Sequence, residues 1–274
     1  MAEGNKISQA YLFSGPESVG KFILAKIFAK GVIKGNGLNF NSDEKMLADM
    51  IILEPEVEEK KGIIKEKEIK VEHIRNIQKN LSLFPYDGKY KVLIINNAHK
   101  MSISAQNALL KILEEPNETS IIILATHNDS KIVSTIKSRC QRINFSLVDV
   151  EEIKDISNSD VANFSMGRPG KALKMIENKE ELDDAKKEYE YIIRFSDVGI
   201  NERLKLAEKM SSDSMKLIKK LEFWMWIIRL EALENGNKGF FGFKTIEKIE
   251  KSLETIKNTN ANARLVIENL FLEI

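Results

Sequence analysis

A single cysteine in 274 residues excludes any disulfide within the chain and makes a reducing cytoplasm the expected setting. Histidines are equally scarce: His73, His99 and His127 lie far apart without ligand spacing. Zinc sites need clustered thiolates or imidazoles, so neither zinc nor another metal cluster is expected. Apolar runs are short. None approaches the ~20 residues of a membrane span, and the amino terminus lacks a signal-peptide core, so no membrane partner is expected. Nor does one sign of charge prevail, since 42 basic and 41 acidic side chains leave a net +1. A protein that grips nucleic acid unaided usually carries a basic surplus, because phosphate neutralisation supplies most of the affinity. Any such contact is therefore expected to be shared with partners.

What is present describes a globular protein of two or three domains, 43% hydrophobic and 30% charged. Its most informative stretch runs from Tyr90 to Cys140. Residues 92–95 and 121–125 are wholly apolar, as buried parallel strands are, and residues 102–115 between them form an amphipathic segment stopped by Pro116. Strand, helix and strand at this spacing predict a βαβ unit. Within its helix, Ala105, Ala108, Leu109, Ile112 and Leu113 face the sheet, while Gln106 and Asn107 are expected to hydrogen-bond to neighbouring strands. Cys140 is expected to be a small buried residue.

Upstream, a strand over residues 9–13 enters SGPESVGKF. Gly15, Gly20 and Lys21 satisfy most of GxxxxGK[ST], the loop whose backbone N–H groups cradle phosphates at a helix start while its lysine reaches the terminal phosphates. Phe22 departs from it, because the expected hydroxyl would bind Mg²⁺ and a phenyl ring cannot. The plainer alternative is a tight strand-to-helix turn. Residues 31–42 read as a loop, 49–54 as a strand, 54–70 as a solvated hairpin or loop, and 69–83 as a helix with Val71, Ile74, Ile77 and Leu81 on one face. Asn96 and Asn97 end the strand at 91–97, and a neutral amide cannot act as a general base.

NALLKILEEP, the apolar strand before it and the later STIKSRC resemble the clamp-loader branch of the AAA+ ATPases, nearest its delta-prime type from bacterial DNA polymerase III. The resemblance implies an α/β P-loop domain with a parallel sheet at residues 1–147, a small helical lid at 148–180 and an all-α collar at 181–274. It places Asn96 where active members hold Mg²⁺ with an Asp, and Asn97 where a Glu orients water. SMGRPGKAL resembles the lid motif, with Gly170 at the position of the sensor-2 arginine. With Phe22, these changes imply no intrinsic ATPase. Gly15, Gly20, Lys21 and the sensor-1 residue Thr126 remain as a degenerate nucleotide site: no cofactor is required, and residual ATP or ADP binding stays open. Few residues precede Ser14, which lowers the expected grip on adenine, and no zinc module stands near residues 31–42.

Arg139, with Ser138 beside it, is by this resemblance an arginine finger for the ATP site of an adjacent subunit. Read alone, an arginine there is a surface group bonded to a helix end or a nearby acid. The implied partners are gamma/tau-type and delta-type subunits, met through the collar and the SRC motif, with the sliding clamp and primed DNA engaged by the assembly. Leu265, Glu268, Leu270 and Leu272 match positions of the last collar helix. Residues 216–233 are apolar on more than one face, and at least one of Phe223, Trp224 and Trp226 is expected to meet a partner. Two rivals remain: an active clamp-loader ATPase of the gamma/tau type, and a P-loop protein without a replication role.

Overall fold

Runs of Val, Ile and Leu without polar interruption suit strands covered on both faces, which is the condition of a parallel sheet flanked by helices. The computed structural model describes residues 7–35, 48–60, 63–86, 88–235 and 242–274. Its elements begin β1 (Ala10–Ser14), α1 (Lys21–Lys34), β2 (Met50–Leu53), β3 (Val57–Lys60), β4 (Ile63–Glu66) and α2 (Val71–Leu81). There follow β5 (Lys91–Ile95), α3 (Ile103–Glu114), β6 (Ser120–Thr126), α4 (Ser134–Lys137) and β7 (Gln141–Asn144). Strands β2, β5, β6, β1 and β7 lie in that order in one all-parallel sheet. Alternation along each strand divides the core. Leu12, Leu93, Ile95, Ile122 and Leu124 face α2 and α3, whereas Tyr11, Phe13, Ile94 and Ile123 face Ala25, Ala29 and Ile33 of α1.

Ser102 caps α3, its Oγ accepting from the Ala105 N–H at 3.1 Å. Ile69 falls outside α2 and bridges in parallel to Met101. The charged stretch after β2 contains an antiparallel hairpin, β3 with β4. The loop expected from residue 31 starts later. Gly31 and Ile33 are buried in the last turn of α1, which ends at Gly35 with a φ of +67°; residues 36–42 of that stretch lie outside the described residues. Burial of Ile33 extends the helix through a glycine that composition alone marks as a breaker.

The chain divides into two compact units, Met1–Leu147 and Val148–Ile274. The second holds α5 (Val150–Lys154), α6 (Ser159–Phe164), α7 (Pro169–Glu177), α8 (Lys179–Ile193), α9 (Ile200–Ser211), α10 (Ser214–Asn235), α11 (Phe243–Asn258) and α12 (Ala263–Glu273). One core serves all of it: Phe164, Ala172 and Met175 belong to the same cluster as Phe195, Trp224, Ile228 and Phe271. Residues 148–180 therefore share their core with residues 181–274.

The expectation that an aromatic of α10 meets a partner narrows to Trp226, which is half-buried. Phe223 and Trp224 are buried. Trp224 stacks on Phe271 with centroids 5.5 Å apart and donates Nε1–H to Glu188 Oε1 at 2.6 Å. Phe223 meets Phe164 at 6.0 Å, and Trp226 donates to the Asn163 carbonyl at 2.7 Å. The rings point in different directions: α6, α8 and α12 receive Phe223 and Trp224, whereas Trp226 bonds to α6 and keeps part of its surface open. Among the described residues no helix is long and apolar enough to cross a membrane.

Candidate functional site

A parallel sheet brings the carboxyl ends of its strands to one edge, where loops can converge on a ligand. Here β1 ends in the phosphate-loop segment, β5 in Asn96 and Asn97, and β6 in Thr126. Gly15 has a φ of +149°, and a β-carbon on it would lie 2.2 Å from the Phe145 carbonyl oxygen, so only glycine fits. Gly20 caps α1 at a φ of +90° with open space around it. Lys21 is buried, and its ammonium bonds to the Gly15 carbonyl at 2.8 Å and to that of Pro16. Phe22 packs against the core on the α1 side of the sheet, with Lys26 Nζ 4.8 Å above its ring.

At the end of β5, Asn96 Nδ2 donates to Glu54 Oε1 at 2.8 Å. Asn97, left-handed with a φ of +50°, donates from Nδ2 to Glu66 Oε1 at 3.0 Å. Lys100 pairs with the same Glu66 at 3.3 Å. Hairpin β3–β4 thus delivers a carboxylate to an amide where the fold would place an acid. The set does not fit a nucleotide-bound Mg²⁺. A ring replaces the loop hydroxyl, and two neutral amides, each already donating, replace the strand-end carboxylates.

Thr126 is buried, its Oγ1 accepting from Asn128 N–H at 3.0 Å and lying 3.3 Å from His99 Nδ1. His99 stands edge-on to His127 with ring centroids 4.1 Å apart. Burial is the main force holding His99 down to about 4, reinforced by His127, Lys100, Lys131 and Lys21. His127 is also lowered, first by burial. Thr126 Oγ1 thus links the Asn128 N–H to the His99 ring, a hydroxyl being able both to donate and to accept. Sequence reasoning set these histidines apart. Their proximity was legible only through topology, because each follows the end of one of two adjacent strands, β5 and β6.

Arg139 lies at the opposite edge. In β7, parallel to β1, Gln141 pairs with Tyr11. Arg139 therefore precedes the start of the sheet, whereas the phosphate loop follows its end, an offset of roughly 20 Å at ~3.3 Å per residue. Its own side chain cannot span that distance. The exposed guanidinium donates from Nη1 to the Thr135 carbonyl at 3.1 Å and from Nη2 to Glu114 Oε1 at 2.9 Å. Ser138 Oγ–H donates to the same Thr135 carbonyl at 3.0 Å, closing the end of α4. Cys140 is buried, and burial pushes its thiol up to about 11.

Two other polar positions settle differently from expectation. Gln106 bonds to loops after the strands rather than to the strands themselves: Nε2 donates to the Met101 and Lys131 carbonyls at 3.3 and 3.0 Å, and Oε1 accepts from Val133 N–H at 2.9 Å. Asn107 is exposed. Gly170 falls in the first turn of α7. Beside it, Lys171 is half-buried, bonded to the Phe164 carbonyl at 3.0 Å, and brought down to about 8 chiefly by desolvation.

A phosphate-loop turn opening a five-stranded parallel sheet, with a helical unit after it, defines the AAA+-like class of P-loop α/β proteins. A gamma subunit-related protein of DNA polymerase III from Thermotoga maritima MSB8 shares this fold, with a TM-score of 0.50 and 20% identity over 97% of this chain and 94% of that one. The family model described as "DNA polymerase III, delta subunit" matches residues 1–149, and the chain belongs to that family. Curated relatives include DNA polymerase III subunit tau of Bacillus subtilis (strain 168), 36% identical over 78% of this chain and 35% of that protein. The tau subunit of Escherichia coli (strain K12) is 33% identical over 54% of this chain and 23% of its own length. The chain thus spans about a third or less of these curated relatives.

Proposed function

We propose that this chain is a non-hydrolysing, delta-prime-type subunit of the DNA polymerase III clamp loader, working in the cytoplasm. Residues 148–180 act as its lid and residues 181–274 as the collar that joins gamma/tau-type and delta-type subunits. Arg139 completes the ATP site of a neighbouring subunit, and the assembly loads the sliding clamp on primed DNA. One observation carries the reading: Arg139 is exposed at the edge of the sheet remote from its own phosphate loop, so it serves another chain or none. A guanidinium suits the task, being permanently charged and shaped to fork around γ-phosphate oxygens. Phe22, Asn96 and Asn97 support the absence of turnover, since each lacks a different part of the hydrolytic machinery.

The names of the tau relatives favour a second reading, an active ATPase of the gamma/tau type. The two separate in one comparison. The isolated chain is assayed for Mg²⁺-dependent ATP hydrolysis, and the loader reconstituted with gamma/tau-type and delta-type subunits is assayed with wild type and with Arg139→Ala. The proposal expects no turnover by the chain alone and a fall of about 10³-fold for Arg139→Ala at the affected site. Sustained turnover by the isolated chain would establish the second reading. A mutant assembly as fast as wild type would remove the finger.

A further inference from the structure

We infer that Glu114 is the positioning residue that aims Arg139; the inference rests on the proposed role of Arg139 in trans. Glu114 is the last residue of α3, and Glu115 follows it as the cap. Adjacent carboxylates at the carboxyl end of a helix stand against the negative pole of its dipole, where cations are favoured. Local helix energetics therefore does not explain an acid at this position.

Stability does not explain it either. The Arg139 and Glu114 side chains are 37% and 49% exposed, and ion pairs this open add little to folding. Geometry offers a reason. Glu114 Oε1 takes one N–H from Nη2 while the Thr135 carbonyl takes one from Nη1. Two anchors on separate elements, α3 and α4, fix both the position and the plane of the guanidinium. Of the five N–H donors in the fork, these contacts use two. The remaining three can engage the oxygens of an anion presented from outside, so Glu114 orients the group without consuming it. Glu114 also lines an open cleft of about 390 Å³ with Gln78, Leu81 and Lys111, so the carboxylate stands at the rim of a concave surface.

Preorganisation of this kind acts on the transition state: a charged donor held in place beforehand spares reorganisation when the γ-phosphoryl group transfers. In the reconstituted loader, kcat and KM for ATP are measured under DNA stimulation for wild type, Glu114→Gln, Glu114→Asp, Arg139→Ala and the double variant Glu114→Gln/Arg139→Ala. Glu114→Gln should lower kcat about tenfold or more with KM unchanged, Glu114→Asp should recover part of the loss, and the double variant should match Arg139→Ala alone. The thermal midpoint of the free Glu114→Gln chain should stay at the wild-type value. Wild-type kcat in Glu114→Gln beside an impaired Arg139→Ala overturns this inference and leaves the finger intact. A double variant slower than Arg139→Ala also overturns it, by showing that Glu114 acts elsewhere. An unimpaired Arg139→Ala removes both assignments.

Discussion

Gly15 and Phe145 approach so closely that a β-carbon on the glycine would lie 2.2 Å from the phenylalanine's carbonyl oxygen. Phe145 is tied in place, because its N–H donates to the Ser14 carbonyl at 2.7 Å. The contact explains the first glycine of the loop by packing alone, independent of any ligand. Gly15→Ala should therefore cost about 3 kcal/mol or more, combining backbone strain with overpacking. Gly20→Ala, strained at a φ of +90° but facing open space, should cost about 1–2 kcal/mol. Urea denaturation of both variants checks the order, and equal losses would contradict it.

The amides at the end of β5 act as donors to acids. In Asn96→Asp the donor to Glu54 becomes a second carboxylate, and in Asn97→Asp the same happens beside Glu66. Each variant should lose about 1 kcal/mol near neutrality, and the loss should shrink in acid as the paired carboxyls take up a proton. Denaturation of each variant against pH tests this. A loss that stays constant into acid would show that the amides matter by shape and not by donation.

Acid should loosen the first unit through His99. In the unfolded chain this residue protonates near 6.5, whereas the folded environment refuses the proton until about 4. Its contribution is fully present above 6.5, is lost as pH falls toward 4, and changes no further below that. After discounting for solvent screening the window should remove about 2 kcal/mol, with His127 acting in the same direction. His99→Gln should flatten the stability curve in this window. An unchanged slope would point to other groups.

Trp224 is the largest fully buried side chain among the described residues. Trp224→Ala should cost about 3–5 kcal/mol. Trp224→Phe keeps a six-membered ring but loses the pyrrole half of the indole and the 2.6 Å donor to Glu188, which retains Lys220 at 2.9 Å, so it should cost about 1–2 kcal/mol. Thermal melts followed by circular dichroism distinguish the two effects, and equal costs would mean that the pyrrole half and its N–H do all the stabilising.

The βαβ unit was legible because hydrophobic period and breaker agreed: an apolar run, a capped amphipathic helix and Pro116 leave little else to build. The phosphate loop and the amides at 96 and 97 were readable for the same reason, since each sits at a strand end that the pattern already located. Other features depended on distance between segments. Glu54 and Glu66 read as members of a charge run until the pairing of β2 with β5 set Glu54 beside Asn96 and the hairpin brought Glu66 to Asn97. His99 and His127 are separated by a whole helix and strand, and Glu114 reads as one of two surface acids before a proline. Around α10, sequence gives each ring's direction but not the helices waiting on that side, which is why the burial of Phe223 and Trp224 within the chain was not legible.

The aromatic cluster of the second unit has a mechanical consequence. Rings from α6, α8, α10 and α12 interlock across the boundary at residue 180, so no seam runs there along which one part could slide while the other stayed still. Heating should melt residues 148–274 in a single calorimetric step, and amide exchange in α6 should slow in concert with α12. Whatever this half of the molecule transmits, it transmits as one stiff piece.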